Sequence, residues 1–123
     1  MEFTSKAQEA LGAAIRQAAA DGHSEVTPAH LLHALLAQGE GIATSLLDTI
    51  GLNRQALDAD VRRALSALPA ASGSSMGQPS LARSTHAVLK AAEDLAAQRG
   101  DAYISTEHLL IGIAEKQPEL LPV

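Results

Sequence analysis

A chain of 123 residues suits one domain, and its 46% apolar share is carried mostly by Ala and Leu, with one Phe, one Tyr and no Trp. Strong helix formers so outweigh the β-branched and aromatic residues that an all-α fold is expected. Nine basic residues scattered among fourteen acidic ones give a formal charge of −5, and there is no cysteine; no nucleic-acid partner is expected, and disulfides, thiolate zinc sites and cysteine nucleophiles are excluded.

The opening Met1-Glu2-Phe3-Thr4 does not read as a signal peptide, and no apolar run approaches the ~20 residues that span a bilayer. A cytoplasmic protein without a membrane partner is expected. Thr4 is an N-cap candidate for a first helix, in which Ala7, Leu11, Ala14, Ile15, Ala18 and Ala19 recur at helical spacing before Gly22 stops it. Thr27 caps a second helix with Pro28 in its first turn and Leu31, Leu32, Leu35 and Leu36 on its buried face; Gly39 and Gly41 end it. A short third helix carries Ile42, Leu46, Leu47 and Ile50, with Gly51 past its end. Asn53 caps a fourth, striped by Leu57, Val61, Ala64, Leu65 and Leu68, while Asp58 and Asp60 face away near its positive end. Residues 69–80 are rich in Pro, Ser and Gly and read as an exposed, mobile linker.

From Leu81 the chain repeats itself. At an offset of 78 residues, which carries Thr27 onto Ser105, residues 3–37 align with 81–115 without a gap, and nine of the 35 pairs are identical, among them Gly22/Gly100 and His30-Leu31-Leu32/His108-Leu109-Leu110. An internal repeat decides architecture before any single residue does. One domain over 1–123 is therefore predicted, built from two pseudo-symmetric repeats of a four-helix motif, over about 3–68 and 81–123. The second is incomplete. Its first helix uses Val88, Leu89, Ala92, Leu95 and Ala96 up to Gly100, and its next is capped by Ser105 and runs through Leu109, Leu110 and Ile113 to Pro118. Leu120 and Leu121 match Leu46 and Leu47 in type, and the tail is expected to fold back or the protein to self-associate, since exposed apolar patches find partners.

No nucleophile–base pair, metal-ligand spacing or Gly-rich phosphate loop is legible, so no catalytic residue, metal or cofactor is assigned. His30 and His108 hold the same place in both repeats, three residues past a cap, and read as structural rings bonded to nearby backbone. Asp101 and Glu107 flank the cap Ser105. Acids there stabilise a helix start by ~0.3–1 kcal/mol; alternatively, exposed carboxylates beside a groove between the first helices orient a bound polypeptide. Thr4 carries the same ambiguity.

Phe3-Thr4, Ala7, Ala10-Leu11, the block Gly100-Asp101-Ala102-Tyr103-Ile104-Ser105-Thr106-Glu107-His108-Leu109-Leu110 with its earlier echo, and the Leu68-Pro69 linker together resemble the N-terminal domain of Clp-type AAA+ chaperones, over residues 3–116. The Pro/Ser/Gly linker is more similar to the ClpB-like disaggregase branch than to the protease-associated one. The resemblance implies a non-catalytic domain that binds unfolded or aggregated polypeptide and passes it to a hexameric AAA+ ring. It also implies that ATP belongs to modules outside this chain and that the parent protein cooperates with a DnaK-type chaperone. It places the polar substrate-handling positions on Thr4, Asp101 and Glu107 and lines an apolar groove with Leu89 and Leu95. The second repeat departs from this pattern in having Ala82 where the first has Thr4. A free-standing adaptor or decoy acting on a Clp ATPase or protease is the alternative reading.

Overall fold

The computed structural model describes residues 1–39, 41–70 and 78–121. Six helices are present among them: α1 (Ser5–Ala20), α2 (Pro28–Ala37), α3 (Ile42–Thr49), α4 (Arg54–Ser66), α5 (Arg83–Gln98) and α6 (Thr106–Lys116). Four two-residue strands lead into helices: β1 (Glu2–Phe3), β2 (Glu25–Val26), β3 (Ser80–Leu81) and β4 (Tyr103–Ile104). The 78-residue offset maps β1 onto β3, α1 onto α5 and β2 onto β4 residue for residue. Most of the predicted linker, residues 71–77, lies outside the described residues, but its last residue, Ser80, is already strand.

Local chemistry sets the helix ends. The Thr4 Oγ1 accepts from the Ala7 N–H at 3.2 Å and the Asn53 Oδ1 from the Ala56 N–H at 3.1 Å, satisfying donors that the first turn leaves orphaned. Gly22 (φ 72°) and Gly100 (φ 73°) end α1 and α5 in the left-handed region. At each, the following N–H reaches back to a helix carbonyl at 2.9 Å, His23 to Ala18 and Asp101 to Ala96. That closure needs a residue without a Cβ penalty.

The strands were not legible in the sequence, and they interlock the repeats. β1 pairs in parallel with β4, and β2 with β3. Each repeat's opening strand thus pairs with the strand before the other repeat's second helix. The core lies between α2 and α6, where Leu31, Leu32, Leu35, Leu109 and Ile113 are fully buried; the small stripe of α1 (Ala7, Ala10, Ala14, Ala18) lets that helix lie close. Leu121 is buried and Leu120 half-buried, the pattern also of Leu47 and Leu46. The tail therefore folds back as far as Leu121; Pro122 and Val123 lie outside the described residues. Of the apolar residues the third helix carries, Ile42 and Ile50 are 58% and 51% exposed. One expectation needs correction. Asp58 does not face away: its carboxylate lies 3.6 Å from His33 Nδ1 on α2 and 2.8 Å from Arg62 Nε.

Candidate functional site

The β1–β4 pair brings two helix starts together. Having paired Phe3 with Ile104, the chain donates the Thr4 N–H to the Ile104 carbonyl at 2.9 Å, so the caps of α1 (Thr4) and α6 (Ser105) become neighbours. The α2–α3 connection closes the third side. Gln38 Nε2 donates to the Lys6 carbonyl at 2.9 Å, and Thr44 Oγ1 ties back to the Gly39 carbonyl and accepts from the Gly41 N–H at 3.0 Å. Between these three elements lies a cleft of ≈ 480 Å³, lined among others by Thr4, Lys6, Gln38, Ile42, Ser105 and Thr106, with a largely apolar surface. Ile42, more than half exposed, stands at its rim.

Behind the cap of α6 sits a polar relay. His108, 2% exposed, accepts the Ser105 N–H at Nδ1 (2.8 Å). Its Nε2 lies 2.8 Å from the Asp101 carboxylate. An accepting Nδ1 puts the neutral ring's proton on Nε2, which therefore donates to Asp101. His30 makes the matching bond from Thr27 N–H to Nδ1 at 2.9 Å. Both rings are thus buried and bonded to backbone.

Of the substrate-handling residues the resemblance implied, only Thr4 lines the cleft. Glu107 stands half-buried in the first turn of α6, next to Thr106, and Asp101 is engaged by His108 with its side chain 44% exposed. Leu89 and Leu95 sit elsewhere. Leu89 packs half-buried against the core, and Leu95 lines a polar depression between α5 and α6 with Lys90, Asp94 and Lys116. The reason is packing: α5 lies against α6 and α1 against α2, and the cleft is bordered by α1, α6 and the α2–α3 connection rather than by α5. Lys6, Gln38 and Ile42 were missed, because only the strand exchange and the α2–α3 turn bring them together. Among the described residues no group of three or more His, Asp or Glu could hold a metal ion, and no helix is long and apolar enough to cross a membrane.

Comparison with known proteins adds four findings. A family model described as the Clp repeat (R) N-terminal domain matches residues 2–121. The chaperone protein ClpB of Mycobacterium tuberculosis is 44% identical over 111 residues, 90% of this chain and 13% of the relative's length. The N-terminal domain of the ClpV1 ATPase from Escherichia coli superimposes with a TM-score of 0.84 at 32% identity, covering 98% of this chain and 71% of that one. The Hsp104 N-terminal domain from Candida albicans, at 21% identity, shares the fold with a TM-score of 0.84 over 95% of this chain and 76% of its own.

Proposed function

The chain belongs to the Clp repeat N-terminal domain family, and on that premise we propose that it captures unfolded or aggregated polypeptide in the cleft beside Thr4 and passes it to a AAA+ ring. The observation that carries this reading is the apolar cleft, edged by the caps of α1 and α6 and by the exposed Ile42. An extended segment lays apolar side chains against Ile42, while hydroxyl and amide groups of Thr4, Gln38 and Ser105 supply hydrogen bonds to its backbone. Asp101 and Glu107, on the α6 side, orient the client by charge. The chain spans 13% of the ClpB relative's length, so the ATPase ring, its ATP, a DnaK-type partner and a cytoplasmic location belong to the same proposal. Within the domain, Leu89 and Leu95 are left as a secondary contact on α5.

A shallow cleft and a client that must order on docking predict weak binding, about 10–100 μM. The test is fluorescence anisotropy with labelled apolar peptides, alongside thermal melts of the same variants. Ile42→Ser should weaken binding about tenfold and leave the melt unchanged, since a rim side chain contributes little to folding. Thr4→Ala, Asp101→Ala and Glu107→Ala should each weaken binding more than they lower stability, although the Thr4 cap itself accounts for ~0.5–2 kcal/mol. Peptide affinity that survives all four substitutions would place the client elsewhere.

A further inference from the structure

The offset that superimposes the repeats also sets His23 opposite Asp101. There the two halves part chemically. In the second repeat, His108 Nε2–H donates to a carboxylate, a group with only acceptor oxygens. In the first, His30 Nε2 meets His23 Nδ1 at 2.8 Å, both rings buried and set edge to face with centroids 4.9 Å apart. Because Thr27 N–H occupies His30 Nδ1, the shared proton sits on His30 Nε2, and His23 must accept with a bare Nδ1.

We propose that the His23–His30 contact is an acid-sensitive latch on the β2–β3 end of the domain, where the repeats are joined, and that the β1–β4 end, closed by Asp101 and His108, responds less to acid because its ring keeps a carboxylate acceptor. A proton on His23 Nδ1 would set two N–H groups against each other across 2.8 Å. A proton on His30 Nδ1 would face the Thr27 N–H instead. The first event breaks a buried hydrogen bond; in the second the Nδ1–H can turn to the Thr27 Oγ1, 2.9 Å away, but the Thr27 N–H loses its acceptor. At the other end, a proton on His108 Nδ1 likewise costs the Ser105 N–H its acceptor, but it leaves the Nε2–H bond to Asp101 intact and adds charge attraction that offsets the loss.

The latch lies where it can act. His23 and Thr27 bracket β2, whose Val26 carbonyl accepts the Ala82 N–H at 3.0 Å and the Thr85 hydroxyl at 2.6 Å from the second repeat. The surrounding charges are few. Asp21, at the end of α1, favours protonation of His30; His33 on α2 opposes it, and faces Asp58 of α4, itself paired with Arg62. β3 brings Ser80 and Leu81, and the buried residues of α5 and α6 include no titratable side chain besides His108. Burial first, then His23, hold His30 down to about 4. A folded value below the unfolded one, about 6.5, gives stability that is present at neutral pH and lost as pH falls from 6.5 toward 4. For one such group the opening equilibrium shifts about 20-fold between pH 7 and pH 5.

The experiment is hydrogen exchange on the whole chain at pH 7 and pH 5, corrected for intrinsic exchange chemistry and read at amides of β2–β3 and β1–β4. Protection should fall at least tenfold further at Val26 and Ala82 than at Thr4 and Ile104. His23→Asp, which installs the second repeat's acceptor, should abolish the difference; His23→Asn offers a neutral acceptor should the first variant not fold. Imidazole nitrogen shifts at pH 7 should show His30 protonated at Nε2. Equal losses at both ends, a difference that survives replacement of His23, or a proton on His30 Nδ1 would each overturn the latch.

Discussion

His108 has both ring nitrogens engaged while the ring is 2% exposed, so its removal is felt twice. His108→Ala orphans the half-buried Ser105 N–H and leaves a cavity behind the α6 cap. Urea melts at pH 7 should show a loss of ~1–3 kcal/mol. A variant within 0.5 kcal/mol of the parent would mean that water replaces the ring at no cost. Asp101 is different: nearly half exposed, it can shed His108 to solvent, so its truncation tests orientation more than stability.

At the scale of the element, two helical glycines separate propensity from packing. A Cβ added at Gly112 on α6 would stand 2.8 Å from the Val88 carbonyl of α5, a backbone atom that cannot swing aside. At Gly12 on α1 it would meet only the end of the Arg16 side chain, at 3.2 Å. Replacing Gly by Ala in a helix interior stabilises by ~0.5–1 kcal/mol when nothing obstructs it. Gly12→Ala should therefore raise the melting temperature. Gly112→Ala should lower it, since overpacking costs ~1–3 kcal/mol and outweighs the helical gain. The first repeat, with Ala34 at the equivalent position, has already accepted the methyl group that the second refuses. Should both variants stabilise, the α5–α6 contact is looser than its backbone distance implies.

The whole molecule is held together by exchange. Because β1 pairs with β4 and β2 with β3, neither repeat can unfold without unpairing the other, and the buried faces of α2 and α6 meet in one core. Unfolding should then be a single cooperative transition. In a urea titration followed by NMR, the native amide signals of Val26 and Ile104 should vanish at the same midpoint near neutral pH. Midpoints more than about 1 M apart would mean that the repeats are separate folding units.

Much of this was fixed by local chemistry and therefore readable in one dimension. The caps at Thr4 and Asn53, the stops at Gly22 and Gly100 and the stripe of α1 depend on neighbours within a turn or two, and the 78-residue echo carried the pseudo-symmetry and the family resemblance without any coordinates. What the tertiary structure alone decided involves partners far apart in the chain. Two-residue strands are too short to show an alternating pattern, so their pairing across the repeats left no trace. Ile42 satisfies helical spacing as well as Leu46 does, and only the packing of α3 against α4 and α6 leaves it in solvent. Leu89 and Leu95 carry the periodicity of a helix face, but periodicity does not say which helix that face will meet. His23 carries no signal in the sequence; its bond to His30 exists because a left-handed glycine and the β2–β3 ladder swing the two rings into the same buried space.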